Sequence, residues 1–168
     1  MLLSLPTPRS AAAVLVATTL TLALVRTASA KPEQIRAVQD PIFHLYLQAY
    51  PQDPTIPVMG PESDSEYFDI TTSIQSTNTS MYLNIADDGD AAASYKTLVF
   101  GEAGDTSGWG LEGDTIITTT DSSWGRQLNF LACQLEGDYW QVYLQTGSET
   151  PSGRTCSNYQ TLHLPCLC

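Results

Sequence analysis

The sequence predicts an antiparallel all-β fold, a sandwich or barrel of about eight to nine short strands. Runs of β-branched and aromatic residues recur along the chain, and turn residues separate them roughly every eight to twelve positions. Past residue 30, no apolar spacing of helical period lasts beyond about two turns. A length of 168 residues accommodates one ordinary domain and not two good cores. No internal repeat is visible, whereas a β-trefoil would show three similar units.

Residues 33–39 (EQIRAVQ) predict two helical turns, which Pro41 limits. Residues 42–49 (IFHLYLQA) predict the first strand. Pro51, Pro54, Pro57, Gly60 and Pro61 then predict a long loop, because each proline lacks a donor and fixes φ. Residues 67–74 and 80–85 are the second and third strands, residues 86–94 a turn, and residues 95–100 the fourth strand. Five glycines between 101 and 113 mark a stretch of backbone freedom that holds a short strand at 109–111. Strands at 115–119, 126–133 and 139–145 follow, with Gly137-Asp138 turning the chain between the last two. Trp140, Val142 and Leu144 share one strand face, which places Trp140 in the core. A last strand covers residues 159–164.

Residues 1–30 have the pattern of a secretory signal: Arg9, an apolar run at 11–25, then Ala28-Ser29-Ala30 as a small-x-small cleavage site. The run falls short of the roughly 20 residues of a membrane span, and Arg26 ends it. Residues 31–168 are thus expected to form a single secreted β domain without a membrane anchor, and the last residues lack a GPI-type hydrophobic tail. Losing Arg9 and Arg26 moves the net charge from −11 to −13, with 5 basic and 18 acidic groups remaining. Such an acidic chain, with no two basic residues adjacent, argues against binding nucleic acid or anionic membranes.

In an oxidising compartment four cysteines imply disulfides. Cys133 and Cys156 flank one hairpin and are the favoured bridge. Cys166 and Cys168 are open: they pair in a strained ring, bind another chain, or exchange with the first pair. A metal site at this C-x-C lacks a second close pair and has only His163 nearby, so no metal is expected there.

Motifs of catalysis are sparse. His44 and His163 lie in separate predicted strands, and no Gly-x-Ser-x-Gly occurs. Asp87-Asp88-Gly89-Asp90 gathers carboxylates in a turn but lacks EF-hand spacing, so a solvated acidic turn is expected. Glu66, Glu102, Glu112 and Glu136 lie at strand ends or in loops, and nothing singles out a glycosidase pair among them. Trp109 and Trp124 stand in Gly/Ser loops and are the candidate carbohydrate-binding residues, with loop anchoring as the plainer role. Asn78-Thr79-Ser80 is the one Asn-x-Ser/Thr sequon and the candidate glycosylation site.

Four segments together, Gly108-Trp109-Gly110-Leu111, residues 128–133 (LNFLAC), residues 139–144 (YWQVYL) and residues 151–156 (PSGRTC), resemble small secreted fungal proteins similar to the PhiA cell-wall protein. The likeness covers roughly residues 80–164 and lies in spacing; the chain departs from it in its Cys166-Leu167-Cys168 ending and in lacking a Cys just after the signal. The resemblance implies a secreted or wall-associated β protein of filamentous fungi without established catalytic residues. The resulting expectation is a non-enzymatic secreted protein of a fungal wall or cell surface that binds carbohydrate, with no cofactor. Its partner is then a wall polysaccharide or another extracellular host or wall component. The alternatives are a secreted glycosidase-type hydrolase using a carboxylate pair, and a secreted effector or toxin.

Overall fold

A computed structural model describes residues 31–86 and 93–165. The expected signal at 1–30, the acidic turn at 87–90, and Cys166 and Cys168 lie outside the described residues.

The chain is an antiparallel all-β protein whose sheet nearly closes into a barrel. Its strands are β1 (Arg36–Ala37), β2 (Tyr46–Tyr50), β3 (Asp53–Gly60), β4 (Phe68–Ile70), β5 (Ile74–Ser76), β6 (Tyr82–Ile85), β7 (Tyr95–Gly101), β8 (Trp109–Glu112), β9 (Thr115–Thr118), β10 (Phe130–Gln134), β11 (Trp140–Gln145), β12 (Cys156–Gln160) and β13 (Leu162–His163). Thirteen strands among the described residues exceed the predicted eight or nine. The excess comes from β1 and β3, which form where the sequence predicts a helix and a loop, and from two runs that each fold as two strands. Residues 71–73 turn the chain between β4 and β5, and the 159–164 run divides into β12 and β13.

Strand order runs β4-β5-β6-β7-β11-β3-β2-β1-β13-β9-β8, while β10 pairs with both β11 and β12. Just before β1, Glu33 exchanges two backbone hydrogen bonds with Phe68 of β4, at 3.0 and 2.9 Å. That bridge joins the edge of the β4-to-β7 sheet back to β1 and brings the ring almost to closure. Inside lie Ile35, Ile42, Leu47, Met59, Phe68, Ile74, Leu83, Leu98, Trp109, Phe130 and Leu144, each 2% exposed or less.

Three local readings are corrected. Residues 33–39 are extended rather than helical, because Ile35 and Ala37 alternate into the core and β1 is held by Leu162 and His163 at the far end of the chain. The proline-rich stretch is largely strand β3, which pairs with β2 from Tyr46↔Gly60 to Tyr50↔Asp53 with an irregularity at Ala49/Tyr50. Its second neighbour, β11, engages only Val58 and Met59, beyond Pro54 and Pro57, so the missing donors fall outside that ladder. The strand expected from residue 42 starts at Tyr46 instead. Leu45 N–H donates to the Ile42 carbonyl at 2.9 Å and His44 has φ +61°, which make a turn of the preceding residues.

The Cys133–Cys156 disulfide is formed, joining opposed residues of β10 and β12. Among the described residues no helix is long and apolar enough to cross a membrane.

Candidate functional site

The Gly-rich loop after β7 and the segment after β9 converge over β6 to make a hollow of about 470 Å³. Its floor comes from Asn84, Ile85, Val99 and Gly101, and its rim from Asp105, Ser107, Asp121, Ser123 and Trp124.

Buried side-chain hydrogen bonds fix this shape. Asn84, 4% exposed, accepts the Thr106 N–H at 3.0 Å through Oδ1 and donates to the Ala103 carbonyl at 2.8 Å. Thr106 returns the contact, its hydroxyl oxygen accepting the Ile85 N–H at 2.7 Å. The loop is therefore stitched to β6 by side chains, although its sequence alone gives it wide backbone freedom.

The two halves of the rim meet at Gly108. Its φ is +101°, and an added Cβ would stand 3.0 Å from the Ser122 nitrogen and 3.1 Å from its Cα. Glycine is required there on both conformational and steric grounds. The second half is a compact turn. Ser122 N–H donates to the Thr119 carbonyl at 3.1 Å, Gly125 N–H to the Ser122 carbonyl at 2.9 Å, and the Thr118 hydroxyl to the Gly125 carbonyl at 2.6 Å.

The two candidate tryptophans separate at this point. Trp109 is 1% exposed and its indole N–H donates to the Leu83 carbonyl at 3.0 Å. It packs in the core at the start of β8 and offers no ring face to a ligand, because β8 pairs along β9 and turns the indole inward. Trp124 is half-buried, rests on the core and lines the hollow. It combines an apolar platform with two carboxylates and two hydroxyls nearby, and among the described residues no basic side chain lines the hollow. Such a surface suits a neutral polyhydroxy ligand, whose C–H face can stack while its hydroxyls hydrogen-bond.

The other sequence candidates lie elsewhere. Glu66 is 7% exposed, and its carboxylate accepts the Ala49 N–H at 2.7 Å and the Ser76 hydroxyl. Glu112 pairs with Arg126 at the surface, while Glu102 and Glu136 are exposed in loops. His163 Nε2 lies 2.9 Å from the Thr161 hydroxyl, and Nδ1 lies 3.3 Å from both Thr115 Oγ1 and Asp114 Oδ1. His44 stands in an exposed turn, edge-on to Phe43 at 4.0 Å. Asn78 is exposed in the turn between β5 and β6. Trp140, expected in the core, packs against it while remaining partly exposed. No three His, Cys, Asp or Glu side chains among the described residues cluster as metal ligands would.

Asp105, Asp121, Ser107 and Ser123 escaped the sequence reading, since only the meeting of two loops brings them together. Asn84 carried a usable signal. It is a polar residue between two apolar ones in a short strand, which is the mark of a buried side chain bonding to backbone.

Comparisons of the chain with protein families, with curated proteins and with solved structures return no match.

Proposed function

We propose that this protein is a secreted, non-enzymatic component of a fungal wall or cell surface that holds polysaccharide in the hollow beside Trp124. The observation that carries the reading is the pairing of a ring platform with Asp105, Asp121, Ser107 and Ser123 around one concavity of ligand-binding size. The signal-like leader, the Cys133–Cys156 bridge and the PhiA-like spacing support the extracellular and fungal parts of the reading.

The test is retention of residues 31–168 on insoluble chitin and on β-glucan, compared with Trp124→Ala and Asp121→Asn. Losing a stacking ring weakens sugar binding by about 1–2 kcal/mol, so Trp124→Ala should be retained about tenfold less. Wild-type protein that passes through every polysaccharide unretained would overturn the reading. A second reading, a secreted glycosidase, draws on the two carboxylates that line the same hollow. A glycoside screen without turnover removes it.

A further inference from the structure

The sequon Asn78-Thr79-Ser80 occupies the exposed turn between β5 and β6, and the geometry of that turn assigns a role to its neighbour Tyr67. Asn78 Oδ1 accepts the Tyr67 backbone N–H at 2.9 Å. Only the carbonyl oxygen of an amide can accept, so this bond also fixes where the other end of the side chain points. Nδ2, the atom a glycan attaches to, makes no hydrogen bond among the described residues.

Tyr67 is gripped from the other side as well. Its carbonyl accepts the Thr77 N–H at 2.8 Å and the Thr77 hydroxyl at 3.1 Å. The turn itself is anchored inward, since Ser76 Oγ accepts the N–H groups of Asn78 and Thr79, both at 3.2 Å, and donates to buried Glu66. With its backbone held by the sequon turn, Tyr67 remains 46% exposed, although the next residue, Phe68, is fully buried. An exposed aromatic residue thus stands on the surface with its backbone bonded directly to the amide of the sequon asparagine.

We propose that Asn78 carries an N-linked glycan whose first N-acetylglucosamine packs on Tyr67. This rests on the secreted reading, because the transfer takes place in a secretory compartment. There, C1 of an oligosaccharide carried on a lipid diphosphate bonds to Asn78 Nδ2. The C1–O bond to the diphosphate breaks, the lipid diphosphate leaves, and one amide proton is lost. The sugar's C–H face carries partial positive charge and the ring face partial negative charge, so the pair stacks and shields apolar surface. Because the amide and the tyrosine backbone are already fixed, little freedom is lost on contact.

The test is a four-protein cycle expressed through a eukaryotic secretory pathway: wild type, Tyr67→Ala, Ser80→Ala and the double variant. Ser80→Ala abolishes the sequon while leaving Asn78 and its bond to Tyr67 in place. Strain from the positive φ of Ser80 (64°) cancels in the cycle. Intact mass should show a glycan on the wild type and on Tyr67→Ala only. The glycan should raise Tm by about 2–4 °C when Tyr67 is present and by much less when it is Ala. A Tyr67→Phe variant should keep the gain. Equal gains with Tyr67 and with Ala overturn the stacking while leaving glycosylation in place. A secreted wild type of unmodified mass overturns glycosylation and the stacking with it.

Discussion

Glu66 shows how a single buried side chain can organise distant parts of this fold. It follows a 3₁₀ turn at Glu62–Asp64 and reaches the Ala49 N–H in β2 and the Ser76 hydroxyl in β5. Through Ser76 it also supports the sequon turn. Both contacts are donors directed at carboxylate oxygens, a requirement that an amide meets on only one side. Glu66→Gln should therefore lower stability by about 1–3 kcal/mol, read as a shift of the urea midpoint at constant m. An unchanged midpoint would show that the two contacts contribute nothing net. Nothing in the sequence around Glu66 distinguishes it from Glu62 or Glu102, since its role depends on partners 17 and 10 positions away.

Within the β10-β11-β12 unit, Arg154, two residues before β12, bridges β10 and β11. It donates to Gln141 Oε1 at 2.7 Å and to the Tyr143 hydroxyl at 2.8 Å, and it also reaches the Cys133 and Gln134 carbonyls. Burial raises the Tyr143 pKa above its usual 10.0, with Arg154 opposing in part. The folded state therefore holds this proton more tightly than the unfolded chain does. The stability it represents is complete below pH 10.0 and is lost as the pH rises toward the folded value. Tyr143→Phe, which has no such proton, should lose stability less steeply than wild type above pH 10.0, as measured by denaturation across that range. Parallel curves would show that Tyr143 does not contribute. Hairpins such as β8-β9 and β10-β11 were legible in the sequence because alternation and turn residues sit close together. β3 was hidden by its prolines, and β1 by a partner at the opposite end of the chain. Residues 33–39 alone fit a helix as well as a strand. The hollow was hidden for a related reason: Gly108 and Ser122 meet only through tertiary structure.

At the scale of the whole molecule, the acidic residues are spaced along the sequence from Glu33 to Glu149, and residues 31–168 carry a net charge of −13. Such a surface keeps copies apart at neutral pH and loses that repulsion as carboxylates protonate toward the full-chain pI near 4.2. Retention on wall polysaccharide should accordingly be greater at pH 4 than at pH 7, measured by sedimentation with fungal wall fragments. Equal retention at the two values would contradict the charge argument. The shape of the hollow is expected to survive this change, because its floor is held by the amide of Asn84 and the hydroxyl of Thr106, which do not titrate in that range.

The pairing of β1 with β13 also bears on how the protein is made. Arg36 lies opposite His163, and the Gln160 side chain donates to the Asp40 carbonyl across 120 positions of sequence. A nascent chain emerging from the ribosome holds its first stave long before it holds the one that must lie beside it. Until β13 is released, Ile35 and Ala37 border an open edge, and covering the β1 edge must wait until Leu162 and His163 have left the ribosome. A chain stopped after Gln160 would leave that edge exposed for good, ready to pair with a neighbour's strand.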